Sequence, residues 1–150
     1  MKKLFLFPMA LLILVSCTVL PPPSQQKGSA AEIMSALLSQ IPQEDGFVYA
    51  SEIDAALPLS DAMLARMFPD EGDTADLGCV VSAAVYVSKR FSEHEIVIFE
   101  LCDRSHTEKI VRLLQKRAKK KENAVVFADG VYVYLICTDC NEAISRYLKP

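Results

Sequence analysis

The chain has 150 residues, 51% of them hydrophobic and 23% charged, with 16 Lys and Arg against 19 Asp and Glu. That length fits one ordinary domain, and the apolar content excludes a chain that is disordered throughout. A net charge of -3 lacks the basic footprint of a nucleic-acid binder, so no nucleic acid is expected as a partner.

Lys2 and Lys3 precede a nearly pure apolar stretch from Leu4 to Val15. It falls well short of the roughly 20 residues that a membrane-spanning helix needs, and it reads as a secretory signal. Residues Leu14-Val15-Ser16-Cys17 resemble the bacterial lipoprotein signal, Leu-x-small-Cys. The resemblance implies cleavage before Cys17, a diacylated Cys17 thiol and acylation of the new amino terminus. Several acyl chains on one residue make a stable anchor where one chain holds only marginally. The expected organisation is a signal over 1–16, a lipidated tether over 17–28 and a single α+β domain over 29–150. Pro21-Pro22-Pro23 makes the tether an extended, polyproline-like spacer. The expected location is the extracytoplasmic face of the cell membrane.

Ser29 opens the domain, with Glu32 three residues on as a capping box and Ile33, Leu37 and Ile41 at helical spacing up to Pro42. Phe47 to Leu57 reads as irregular. Ser60 caps a second helix whose stripe is Met63, Leu64, Met67 and Phe68, and Pro69 stops it. Asp70 to Asp76 reads as a solvated acidic loop without the spacing of a calcium site. From Gly78 the period becomes two: Gly78 to Val87 and Glu95 to Leu101 read as strands, and Asp103 to Glu122 as a long helix. Asn123 to Ala128 and Val131 to Thr138 are two further strands joined by Asp129-Gly130, a hairpin signal with Ala128 opposite Val131. A last helix runs from about Cys140 to Leu148, capped by Asp139. The order α-α-β-β-α-β-β-α predicts a mainly antiparallel four-stranded sheet with helices packed on one face. In the hairpin, Val125, Phe127, Tyr132, Tyr134 and Ile136 share one face, expected to be partly wet. Tyr132 and Tyr134 are therefore a candidate partner surface.

From Ser92 onward three segments carry a resemblance. They are the strand Glu95-Ile96-Val97-Ile98-Phe99, the helix after Asp103 with Ile110, Leu113 and Arg117, and the strand Asp129-Gly130-Val131-Tyr132-Val133. Together with the leader they resemble a family of lipid-anchored bacterial proteins, found mostly in clostridia-like Gram-positives, whose domain carries no assigned function. The resemblance implies a location and a fold and transfers no active site. The chain departs from that family in its cysteines and in a short link before the third strand.

Candidate chemistry lies in three places. Cys137-Thr138-Asp139-Cys140 is a C-x-x-C at a strand-to-helix junction, where a thiol can be activated. With Cys79 and Cys102 it supplies enough sulfur for a Cys₄ zinc site. The spacing lacks a second C-x-x-C, and buried thiols or one structural disulfide fit as well. His94 and His106 lie in no metal or general-base pattern, and no nucleophile elbow or phosphate loop is present. Lys109, Arg112, Lys116, Arg117, Lys119, Lys120 and Lys121 crowd one helix. Its last turn, Lys116 to Lys121, either complements the helix dipole or contacts anionic headgroups or wall polymers beside the anchor. The expected function is a non-catalytic binding or interaction module of the cell envelope, partnered by the membrane through its lipid and by an unidentified envelope protein or polymer. Thiol-redox or zinc work at Cys137 and Cys140 is the alternative, and no cofactor is expected.

Overall fold

The computed structural model describes residues 28–70, 73–74, 77–90 and 93–149. The leader, Cys17 and the tether before Gly28 lie outside the described residues, as do Glu71 and Asp76 of the acidic stretch.

Helix α1 (Ala30–Gln40) begins as its sequence requires. Ser29 Oγ accepts the Glu32 N–H at 3.3 Å while Glu32 Oε2 accepts the Ser29 N–H at 2.8 Å. The next two amides find partners across the fold, Ala30 N–H on Ser82 Oγ at 2.8 Å and Ala31 N–H on Glu52 Oε1 at 3.4 Å. Strand β1 (Gly46–Ala50) lies in the segment read as irregular. Helix α2 (Asp61–Met67) carries the expected Ser60 cap, Ser60 Oγ accepting from Met63 N–H at 3.3 Å. The acidic stretch then forms a small ribbon of β2 (Pro69–Asp70) and β3 (Asp73–Thr74) instead of an unstructured loop. Strands β4 (Val80–Ser88) and β5 (Glu95–Leu101) fall where the period-two pattern puts them.

Helix α3 (Thr107–Ala118) starts later than expected, because Asp103 caps a separate 3₁₀ turn over Arg104–His106. Strands β6 (Val125–Asp129) and β7 (Tyr132–Cys137) form the hairpin, and α4 (Asn141–Leu148) follows. Ala128 pairs with Val133, not Val131, so the two-residue link is Gly130-Val131. Only Gly130 takes a positive φ there, +64°, a conformation that costs glycine nothing. The displacement by two positions leaves every side chain on its expected face. Asp139 does not cap α4. Asn141 Oδ1 accepts the Thr138 N–H at 2.7 Å and Thr138 Oγ1 accepts the Cys140 N–H at 3.0 Å.

The main sheet has five strands in the order β1-β4-β5-β7-β6, every neighbouring pair antiparallel. Strands β5 and β6 therefore run parallel, joined by α3, with β7 between them. The expectation of four strands and one helical face gives way to three layers. On one face α2 and α3 bury Leu64, Phe68, Ile110 and Leu114 against Val85, Val97, Phe99, Val133 and Leu135. On the other, α1 and α4 bury Met34, Leu37, Ile144 and Leu148 against Tyr86, Ile96, Ile98, Tyr134 and Ile136. The physical reason is visible in β7, Tyr-Val-Tyr-Leu-Ile-Cys, all six residues of which are buried. A strand apolar on both sides must be covered on both sides.

Candidate functional site

The tyrosine-bearing face is inside the molecule. Tyr132 is 8% exposed and Tyr134 fully buried beneath α1 and α4, so the expectation of a partly wet face is corrected. The Tyr132 hydroxyl donates to Gly28 O at 3.0 Å and the Tyr86 hydroxyl to Glu44 O at 2.7 Å. Burial raises the phenols of Tyr86, Tyr132 and Tyr134 above their ordinary value of 10.0.

The four described cysteines are reduced thiols that divide into two pairs at opposite ends of the sheet. Cys137 lies opposite Glu95 at one end of β5, while Cys102 follows Leu101 at the other, with its N–H on Cys79 O at 2.8 Å. At about 3.3 Å per residue the two ends are about 20 Å apart, so these cysteines do not assemble into a Cys₄ centre. Within the C-x-x-C, Cys140 is exposed and Cys137 buried, its Sγ donating to Glu122 O at 3.2 Å. Burial pushes the Cys137 thiol up, and Lys121 only partly opposes that. An activated thiolate needs the reverse shift.

The basic run is divided by what its side chains touch. Glu95, 1% exposed, accepts Arg117 Nε on both oxygens at 2.9 Å, Arg117 Nη2 at 2.7 Å and Lys121 Nζ at 3.1 Å. Arg117 Nη1 also donates to Met67 O at 2.6 Å, and its guanidinium lies 5.1 Å from the Phe68 ring centroid. Two of the five candidate surface cations, Arg117 and Lys121, therefore hold α3 to β5 and the end of α2. Lys119 and Lys120 are exposed.

His94 bridges two loops, with Nδ1 2.9 Å from Glu44 Oε1 and Nε2 3.4 Å from Asp139 Oδ1. His106 stands beside Asp103, and Cys102, Asp103 and His106 bring a sulfur, a carboxylate oxygen and a ring nitrogen within 4.8 Å of one another. The signal was in the sequence as Cys-Asp-x-x-His, but grouping Cys102 with the other cysteines concealed it.

A groove of about 810 Å³ opens between α2 and the end of β4, lined by Ser51, Ser60, Asp61, Leu64, Val81 and their neighbours. It exists because β1 stops at Ala50, opposite Ala84, while β4 continues to Val80. Val81, bulged out of register with β5, stands 59% exposed on the open stretch. The Ser51 and Ser60 hydroxyls already accept backbone N–H groups, and neither histidine nor cysteine is among the lining residues. Sequence patterning gave no hint of this concavity, which depends on where an edge strand ends. Compared with protein-family models, curated proteins and solved structures, the chain has no match.

Proposed function

We propose that the chain is a lipoprotein of the cell envelope, held on the extracytoplasmic face of the membrane by acyl chains on Cys17, and that its α+β domain is a non-catalytic binding module. The observation that carries the reading is Leu14-Val15-Ser16-Cys17 behind a basic and apolar leader. The likeness to lipid-anchored clostridial proteins over the later strands points the same way. Among the described residues no helix is long and apolar enough to cross a membrane. The groove beside α2 supports a binding role, since it pairs an apolar floor with few polar groups of its own. Its partner is an envelope protein or polymer with an apolar contact group.

Metabolic labelling with a clickable palmitate analogue tests the anchor. The wild-type protein takes up label in bacterial cells and Cys17→Ser takes up none; an unlabelled wild type refutes the reading. In the same cells a photo-crosslinking residue at Val81 gives a discrete adduct, whereas one at Val125, on the far sheet edge, gives none. No adduct from Val81 removes the groove from the proposal.

A further inference from the structure

Where β5 gives way to α3, three donors of different chemistry converge on one turn. Cys102 follows the strand, Asp103 caps the 3₁₀ turn and His106 ends it. The carboxylate is the hub. Its Oδ1 accepts the Ser105 N–H at 2.7 Å and the Ser105 hydroxyl, which fixes the side chain in place. Its Oδ2 is left facing the other two, 3.6 Å from the Cys102 Sγ that donates to it and 3.6 Å from His106 Nε2.

We propose that this turn is a surface site for a borderline transition-metal ion of the Zn²⁺ type, bound by Cys102 Sγ, Asp103 Oδ2 and His106 Nε2. The donor set selects the metal class: thiolate and imidazole favour zinc and its neighbours, whereas calcium and magnesium want oxygens only. On binding, Cys102 releases its S–H proton to solvent as the sulfur–metal bond forms, and His106 gives the lone pair of Nε2. Thiolate and carboxylate together neutralise the dication, which offsets the unfavourable position of a cation at the amino end of α3. Cys102 and Asp103 are exposed and His106 half-buried, so the ion enters without the domain opening. Three protein ligands leave a fourth position for water or an exogenous donor. The site shares no residue with the groove or with Cys137-Cys140, and it does not depend on the lipid anchor.

Cobalt titration of the purified Cys17→Ser protein tests the proposal, with Co²⁺ as the spectroscopic probe and Zn²⁺ as competitor. One equivalent of Co²⁺ produces thiolate-to-metal charge-transfer absorption, and Zn²⁺ reverses it. Cys102→Ser abolishes the band. His106→Ala weakens Co²⁺ binding by about tenfold or more, a loss at least as large as that from removing an outer-shell partner. Cys140→Ser, which removes the other exposed thiol, leaves the band unchanged. Melting curves without metal verify that each variant is folded. No charge-transfer band in the parent protein, a band that survives Cys102→Ser, or one lost in Cys140→Ser overturns the assignment.

Discussion

Replacing Glu95 by Gln removes the buried negative charge to which Arg117 of α3 and Lys121, just past its end, are fastened. Arg117 and Lys121 keep only 25% and 16% of their side chains exposed beside a carboxylate that is 1% exposed, so solvent screening is weak. Breaking such a pair by deleting one partner costs about 3–5 kcal/mol, because the remaining charges stay buried and uncompensated. Gln retains one carbonyl acceptor for Arg117, worth about 1 kcal/mol or more, which places the expected loss near about 3 kcal/mol. With a urea slope of about 2 kcal/mol/M for a domain of this size, the unfolding midpoint falls by about 1.5 M. Lys120→Gln, on the exposed side of the same helix end, changes stability by less than about 0.5 kcal/mol. Urea titrations of the three proteins by circular dichroism measure the difference. A midpoint shift below about 0.5 M for Glu95→Gln, or an equal shift for Lys120→Gln, refutes the assignment of Arg117 and Lys121 to internal structure.

The thiols should titrate in two classes. In the Cys17→Ser protein an aromatic disulfide reagent modifies Cys102 and Cys140 at once, and Cys79 and Cys137 only after denaturant is added; a third fast thiol refutes the burial of one of the latter. The tyrosines set an alkaline limit. Their folded values lie above the unfolded value near 10, so between the two the unfolded chain carries fewer protons and stability falls as pH rises. Tyr134→Phe flattens that decline by up to about 1.4 kcal/mol per pH unit, measured from urea midpoints at pH 9 to 11; an unchanged slope refutes it.

Most local signals in the sequence were sound, the Asp139 cap, the hairpin link and the start of α3 excepted, and the larger errors arose where distant segments decide the outcome. The Ser29–Glu32 box, the Ser60 cap and the limits of β5 follow from side-chain to backbone chemistry within a few residues. Strand β1 was missed because Gly-Phe-Val-Tyr-Ala is short, and its partner lies far along the chain at Ala84 to Ser88. The second helical layer was legible in principle, since β5 and β7 lack the polar alternation of a one-sided sheet. Whether the four cysteines meet was not legible, because spacing along a chain says nothing about opposite ends of a strand. The internal role of Arg117 was hidden for a similar reason, as Glu95 is more than twenty positions away.

The chain enters the fold at Gly28 under unusual restraint. Gly28 O is held by the Tyr132 hydroxyl, Ser29 by Glu32, Ala30 by Ser82 and Ala31 by Glu52. The first turn is thus sewn to β7, to β4 and to the loop after β1, and the apolar side of α1 is pressed on the sheet behind it. Mechanically, this is a load-spreading joint. A pull from the segment preceding Gly28 has to break several hydrogen bonds to separate parts of the domain before it can peel α1 away. A module tugged from its amino end by whatever holds that end would keep its sheet, its groove and the Cys102 turn undistorted.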